Sequence, residues 1–424
     1  MKSVRVRYAP SPTGIPHIGN IRTALFNYLF AKNQGGEFLL RIEDTDQNRL
    51  VPGSVEKIKE SLELLGLKWD EEEHQSKRLD LYKQHLEILK DKNLAYDDGG
   101  AWRFKVEKGK SLTWDDVVHG PIKFSSDVIE DFIIIKSDGF PTYHFASVVD
   151  DHDMKISHVL RGDEWISSTP KHLLLYQSFG WDPPQFVHLP PILGADHKKL
   201  SKRQGAKSTV EYIDEGYLPE AIVNFLAFLG WSPKDDQELF SLEELTKEFS
   251  LDRINKNSPI FNLEKVLWLN GKWIREKFSD SELAKKIFER KKTKFTQEQI
   301  KSVIGYAKYR IKTLNEFDDV AGYLIEEPPR NIKILDIHRD FKDVLKKSVG
   351  VFSKAPEEKS EFVNSINPSI EEISNGFNHW KRMEVLQLIS RAISSRTEYF
   401  PLLTMAEALG KKGIIRRLKA YIED

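Results

Sequence analysis

Residues 3–42 set down, in order, an alternating apolar run, a turn crowded with proline and glycine, an apolar stripe at helical spacing and a second apolar run. Val4 and Val6 fall on one face of the first run, so Ser3 to Tyr8 is expected to be a half-buried strand. From Ile21 onward Ala24, Leu25, Tyr28 and Leu29 recur at helical intervals, Gly35 and Gly36 stop the helix, and Glu37 to Ile42 makes the second strand. A strand, helix and strand in succession are the repeating unit of an open α/β sheet.

The pattern continues with a helix from about Val55 to Leu65, a stop at Gly66 and another helix from Leu79 to Lys90. Between Tyr96 and Gly139 the composition changes to short β-like runs such as WRFKV and DFIIIK, which predicts an inserted small subdomain before the α/β pattern resumes near Tyr143. From Leu218 the chain reads as mostly helical. Ile300, Val303, Ile304, Ala307, Ile311 and Leu314 form one apolar stripe and are expected to be core. Near the end Ile414, Ile415, Leu418 and Ile422 are expected on one face, with Lys411, Lys412, Arg416, Arg417 and Lys419 on the other.

A chain of 424 residues calls for roughly two to four cores. No apolar stretch of membrane-spanning length and no basic-then-apolar leader stand in it, so the default expectation is a cytoplasmic protein without membrane contact. Cysteine is absent, which excludes disulfides, thiolate metal sites and a cysteine nucleophile. The net charge of -1 is unevenly divided: residues 291–424 hold 24 Lys and Arg against 19 Asp and Glu, and residues 1–290 hold 40 against 46. The last third is the better candidate for a nucleic-acid surface, although a solvated helical domain has the same excess.

The turn after the first strand reads PSPTGIPHIGN. Ligands of open α/β sheets gather at the C-terminal ends of strands, where a helix start offers backbone N–H groups and positive dipole to phosphate. Thr13 and Gly14 are placed to bring the backbone close to a ligand, and His17 with Gly19 lies where a phosphate or ribose would rest. A proline-rich turn with a capping His accounts for these residues equally well. The second basic element, KKLSKRQG from Lys198 to Gly205, shifts the balance, because Lys199 and Lys202 around Ser201 suit the charge that develops on a leaving pyrophosphate. The acidic run Asp150, Asp151, His152 and Asp153 is read as a strand-end loop that caps backbone groups rather than a metal site.

With both elements in place the sequence resembles the class I aminoacyl-tRNA synthetases, and within them the bacterial-type glutamyl-tRNA synthetases. Their two signatures stand here as His17-Ile18-Gly19-Asn20 and Lys199-Leu200-Ser201-Lys202-Arg203. RYAPSPTG, RIEDTDQNR, LGLKWDE, PTYHFASVVDDHDMKISHVLRGDEW, GYLPEAIVNFLAFLGWS, FNLEKVLWLNGKWI and ALGKKGIIRRLKAYIE are similar to segments of that family in their usual order, over nearly the whole chain. Relatives specific for glutamine usually read PEPNG where this chain has Pro10-Ser11-Pro12-Thr13-Gly14, so glutamate is favoured.

The resemblance implies an α/β fold: a Rossmann-like class I synthetase catalytic domain with an inserted small α+β acceptor-binding subdomain, followed by an all-α C-terminal anticodon-binding region. The expected division is 1–92 and 141–198 for the two halves of the catalytic domain and 93–140 for a shortened insert. Residues 199–290 would be the KLSKR loop and helical stem-contact domain, and 291–424 the anticodon-binding domain. It implies His17, Lys199 and Lys202 as catalytic residues, and an ATP site of Thr13, Gly14, His17, Gly19, Asn20, Glu164, Trp165, Leu200, Ser201, Lys202 and Arg203. The glutamate pocket would take Arg7, Ala9, Ser11, Glu43, Tyr143, Ser147 and Arg161, with Glu43 receiving the ammonium group and the two arginines the side-chain carboxylate. Ser147 stands where many members have Asn.

The implied reaction is the attack of glutamate on Mg-ATP, then transfer of the glutamyl group to a terminal ribose hydroxyl of tRNA. ATP, L-glutamate and glutamate tRNA are the expected partners, and Mg2+ accompanies ATP. A monomer is expected. Many bacterial members carry a Cys/His zinc cluster in the insert. Here the connection from Tyr96 to Trp102 is short and His119 stands without cysteine companions, so no metal site and no structural zinc are expected. Alternatives are a form that also charges glutamine tRNA, a truncated relative that glutamylates a tRNA base, and a non-catalytic tRNA-binding protein. The long helical C-terminal region argues against the second, and intact Arg7, His17, Glu43 and Lys199 to Arg203 against the third.

Overall fold

A computed structural model of the chain describes residues 3–198, 200, 207–335 and 339–423. Its contacts divide the chain into two compact units, Met1–Leu269 and Asn270–Asp424.

The first unit begins with β1 (Arg5–Tyr8), α1 (Ile18–Asn33), β2 (Glu37–Ile42), α2 (Ser54–Leu64) and β3 (Glu71–His74). These strands are parallel, with Val6 opposite Phe38 and Leu40 opposite Glu72. α3 (Leu79–Asp91) leads into the insert: β4 (Ala95–Asp98), β5 (Ala101–Phe104), β6 (Ser111–Asp116), β7 (Gly120–Ser125) and β8 (Phe132–Ile135). The chain returns through α4 (Tyr143–Asp153), β9 (His158–Gly162), α5 (Thr169–Phe179) and β10 (Gln185–Leu189). β9 and β10 pair in parallel, and β9 enters beside β1, where Ser157 N donates to Arg5 O at 2.9 Å. The spatial sequence β3, β2, β1, β9, β10 therefore changes direction between β1 and β9. Open α/β sheets hold their ligands at such a reversal.

The expected first helix starts earlier than the apolar stripe announces. His17 caps α1, and the helix runs from Ile18, because Ile18 and Ile21 are as fully buried as Leu25 and Leu29. Each such leucine contributes roughly 2 kcal/mol by leaving water. α1 is buried on more than one face, so helical periodicity marks it only in part.

Residues 93–140 contain strands and one 3-10 turn at Ser126–Val128 among their described elements. The helical share of the expected α+β insert comes from its flanks. Tyr82, Leu86 and Leu89 of α3 and Phe145 of α4 pack in one core with Phe104, Leu112 and Phe132 of the strands, and this core continues into Leu174 and Phe186. The β6–β7 hairpin is tied to β10 of the parallel sheet, for Val117 N donates to Phe186 O at 3.1 Å.

After β10 the first unit continues with α6 (Thr209–Asp214), α7 (Pro219–Ala227), α8 (Leu242–Glu248) and α9 (Leu263–Glu276), whose last residues belong to the second unit. The second unit is then helical: α10 (Asp280–Glu289), α11 (Gln297–Ala307), α12 (Phe317–Ile325), α13 (Phe341–Lys354), α14 (Lys359–Ser374), α15 (Arg382–Ser394) and α16 (Leu402–Lys419). Capping boxes start α10 at Ser279 with Glu282 and α11 at Thr296 with Gln299.

Two helical readings are corrected here. The stripe from Ile300 to Leu314 is buried throughout, yet α11 ends at Ala307, and Ile311 and Leu314 reach the core from the irregular segment that follows. In α16 Gly410 adopts φ 65 and breaks the helix, which rotates the residues after it relative to those before. Lys411 and Arg417, expected on the solvent face, are buried, since each lies three residues from the buried Ile414 and shares its side of the helix. Lys411 Nζ donates to Ser353 O at 3.0 Å and Ala355 O at 2.7 Å, and Arg417 Nη1 donates to Ile393 O at 3.2 Å.

Candidate active site at the strand ends

Three arginines and a glutamate stand at the C-terminal ends of the central strands: Arg7 on β1, Arg41 on β2 with Glu43 just beyond it, and Arg161 on β9. All four are buried. Charges this deep need partners, because an uncompensated one costs several kcal/mol.

α4 supplies the partners. Tyr143, Ser147 and Asp151 are spaced by four and share the face of α4 turned to the strand ends. Arg7 Nε donates to Asp151 Oδ1 at 2.9 Å and its Nη2 to Oδ2 at 3.4 Å. Arg41 Nη1 reaches the same Asp151 Oδ1 at 2.7 Å, while its Nη2 donates to Glu43 Oε1 at 3.0 Å. Asp150, one residue earlier, accepts from Gln75 Nε2 at 2.8 Å, Arg78 Nε at 2.9 Å and Tyr82 OH at 2.8 Å. The acidic run is therefore the C-terminal end of a helix rather than a strand-end loop. Its two inner carboxylates hold buried side chains instead of capping backbone groups.

Electrostatics follow from this packing. Burial would raise Asp151, but Arg41 and Arg7 outweigh it and hold the carboxyl below its ordinary range. Glu43 goes the other way. Burial lifts it from 4.5 to about 7, against the pull of Arg41 and Arg7, and Asp151 adds to the rise. Burial likewise raises Tyr143, which feels the charges of Arg161, Glu43, Arg7 and Asp151 together.

Arg161 is held differently. Its Nη2 donates to Thr169 Oγ1 at 2.8 Å, its Nε to His188 Nε2 at 3.1 Å, and its Nη1 lies 3.2 Å from His172 Nδ1 and 3.4 Å from Tyr143 OH. Every one of these is a neutral group. Trp165 O, in the turn after β9, takes Nη2 at 3.5 Å, and the Trp165 ring lies 4.1 Å from that of Tyr143.

The loop between β1 and α1 carries Ala9, Ser11, Thr13 and Gly14, of which Ser11 and Thr13 are exposed. His17 is also exposed, and its Nδ1 accepts from Gly19 N at 3.0 Å. A Cβ on residue 19 would stand 2.8 Å from His17 Cε1, so only glycine leaves the ring in this position. The helix start does not offer the free N–H groups expected of it. Ile18 N donates to Lys207 O at 3.0 Å, Gly19 N to the His17 ring, and Asn20 N to His17 O at 2.9 Å.

Lys199, Ser201, Lys202 and Arg203 lie outside the described residues. Their flanks meet the head of α1 on one side, where His17 bridges Ser208. On the other side Leu200 N donates to Ile192 O at 3.1 Å, just beyond β10. Glu164 is exposed and Trp165 half-buried in the turn Asp163–Ser168.

The resemblance placed Arg7, Glu43, Tyr143, Ser147 and Arg161 in one crevice, and it did not single out Arg41, Asp151, His172 and His188, which stand beside them. A signal for Arg41 and Asp151 existed: a charged residue inside the apolar run EFLLRI, and paired aspartates at the end of an amphipathic stretch.

Comparison with known proteins gives these residues their setting. The family model for the catalytic domain of class I tRNA synthetases (E and Q) matches residues 3–101 and 100–268. A glutamate–tRNA ligase of Prosthecochloris aestuarii is 37% identical over 495 aligned positions, which cover 99% of this chain and 98% of the relative. An alignment longer than 424 residues means that the relative carries segments this chain lacks. A glutamate–tRNA ligase of Dehalococcoides mccartyi is 49% identical over 317 positions, 64% of this chain and 66% of the relative, so this match spans just under two thirds of that protein. Among solved structures, the glutamate tRNA ligase of Elizabethkingia meningosepticum in complex with its amino acid superposes with a TM-score of 0.88 at 30% identity, covering 100% of this chain and 99% of the other. By this agreement over nearly its whole length, the chain belongs to the class I tRNA synthetases of the E and Q type, in the glutamate–tRNA ligase family.

Proposed function

We propose that the protein is a glutamate–tRNA ligase, which activates L-glutamate with Mg-ATP and transfers it to the 3′-terminal adenosine of glutamate tRNA. The observation that carries this reading is the pairing of opposite charges in one buried crevice. Among the described residues Arg161 is a guanidinium held by neutral groups, and Glu43 is a carboxylate whose field, like that of Arg161, reaches Tyr143. An amino acid with an ammonium group and a side-chain carboxylate complements both.

The α-carboxylate of bound glutamate attacks the α-phosphorus of ATP, the bond to the β-phosphate oxygen breaks, and pyrophosphate leaves. The terminal ribose hydroxyl of tRNA, the 2′ oxygen in this class, then attacks the carbonyl of the mixed anhydride and AMP departs. No covalent intermediate with the protein is required, so rate comes from positioning and charge. His17, with Nδ1 occupied by the Gly19 N–H, carries its ring proton on Nε2 and can donate it to a phosphate oxygen. Lys199 and Lys202 are assigned to the pyrophosphate, and Thr13, Gly14, Asn20, Glu164, Trp165, Leu200, Ser201 and Arg203 to the nucleotide. Arg7, Ala9, Ser11, Tyr143 and Ser147 complete the glutamate pocket. Mg2+ enters on the nucleotide as part of the substrate. Residues 93–140 are assigned to the tRNA acceptor end and the helical second unit to the anticodon, whose unstacked bases suit side-chain recognition.

The test is charging of purified glutamate and glutamine tRNAs with labelled glutamate, with Mg-ATP and without added zinc. Charging of glutamate tRNA is expected. Charging of both would mark a form of relaxed tRNA choice, and charging of neither would overturn the proposal.

A further inference from the structure

Asp116 ends β6, on the insert, and is buried against β10. Its Oδ1 accepts from the backbone N–H groups of Val118 and His119, each at 3.1 Å, and its Oδ2 lies 2.5 Å from His188 Nδ1. The other ring nitrogen, Nε2, is 3.1 Å from Arg161 Nε. A guanidinium can only donate, so Nε2 must be the acceptor and the ring proton must sit on Nδ1, where the carboxylate receives it. The chemistry at both ends of the imidazole thus fixes one tautomer.

We infer that Asp116 and His188 are positioning residues for Arg161: the insert's carboxylate locks His188 in the Nδ1–H tautomer, and the bare Nε2 holds the guanidinium in the orientation that receives the substrate's side-chain carboxylate. The inference rests on the proposed function for the identity of that carboxylate. All three side chains are at least 95% buried, with relative exposures of 1% for Asp116, 0% for His188 and 5% for Arg161, so water does not compete for these bonds. Asp116, although buried, is held below the ordinary carboxylate range by His188 and by the N–H groups it accepts from, and burial keeps His188 low enough to stay neutral. His172 repeats the arrangement on Nη1. Its Nδ1 accepts from Arg161, and its Nε2 faces His144 Nδ1 at 3.1 Å. The guanidinium is therefore oriented by two acceptor nitrogens and a hydroxyl, while its charge is left for the ligand. Through Asp116 the insert sets the geometry of Arg161 on the parallel sheet.

The test is Asp116→Asn, which keeps shape and the backbone acceptor but turns an amide N–H toward His188 Nδ1. The ring proton then moves to Nε2, opposite the Arg161 Nε–H. The expected result is a rise of about tenfold or more in the KM for glutamate, the effect of losing a hydrogen bond to a charged group. The KM for ATP and the melting temperature should stay near wild type. Long-range 15N spectra of the labelled histidine should show Nδ1–H in the wild type and Nε2–H in the variant. His188→Gln, whose side-chain oxygen can still accept from Arg161, should recover more glutamate affinity than His188→Leu. An unchanged glutamate KM in Asp116→Asn, or an unchanged tautomer, overturns the inference, as does a parallel loss of ATP and glutamate affinity with a lowered melting temperature. Wild-type protein that charges no tRNA with glutamate would refute the proposed function instead, and the tautomer measurement would still decide the relay.

Discussion

Asp151 and Arg7, 144 residues apart in the chain, form a two-pronged ion pair in which both partners are about 95% buried or more. The same carboxylate serves Arg41, so removing it would strand the Arg7 guanidinium in a region closed to water and take from Arg41 one of its carboxylate partners, leaving it Glu43. Asp151→Asn is expected to cost about 3–5 kcal/mol in stability, the usual penalty for breaking one side of a buried pair. Urea unfolding at neutral pH measures it, and a midpoint within error of wild type would show that the arginines find other partners. Because Arg41 and Arg7 lower the folded-state value of Asp151 against the opposing effect of burial, its stabilisation is complete at neutral pH and is lost as pH falls through that lowered value.

Glu43 has the opposite sign. Its folded value of about 7 lies above the ordinary 4.5, so the stability it contributes is fully present below 4.5 and is lost as pH rises through about 7. Binding runs against stability here, since only the ionised form attracts an ammonium group. The glutamate KM should fall about tenfold between pH 6 and pH 8 at constant ATP. In Glu43→Gln this dependence should flatten and the KM should stay high, and a pH profile identical to wild type would remove Glu43 from the ammonium site.

Gly19 lies within one turn of His17, and an added methyl group would meet the imidazole at 2.8 Å. Gly19→Ala should displace the ring from its bond to the residue 19 N–H while improving helix propensity by up to about 1 kcal/mol. Pyrophosphate exchange should drop at least about tenfold with no loss of melting temperature. Full activity in that variant would show that the position of His17 is not important to the chemistry.

Gly410 breaks α16 at φ 65 and ψ 173, a region essentially confined to glycine that costs another residue about 1–3 kcal/mol. Gly410→Ala should destabilise the helical unit by that amount and leave the KM for glutamate and ATP unchanged. Retained stability would mean that the helix can straighten and carry Lys411 and Arg417 to other partners.

Much of the candidate site was legible in short stretches. PSPTGIPHIGN, RIEDTD and RGDEW each place a candidate side chain at the end of a strand, and strand ends are visible where an apolar run stops at glycine, proline or charge. The partners of those side chains were not legible. Asp151 finds Arg7 across 144 residues and Asp116 finds His188 across 72, and neither separation leaves a local pattern. The solvent face assigned to Lys411 and Arg417 failed for another reason: each lies three residues from Ile414 and so falls on its buried side of the helix, where backbone carbonyls receive the charge.

The sequence by itself determined the α/β frame and the helical second unit, since periodicity and turn residues are local properties written in consecutive positions, and its motifs carried the family resemblance. Tertiary structure decided which charges neutralise each other. That outcome depends on distances of 3 to 4 Å inside a medium of low polarizability, where one carboxylate serves Arg7 and Arg41 and leaves Arg161 to neutral donors and acceptors, and no run of neighbouring residues encodes such a division.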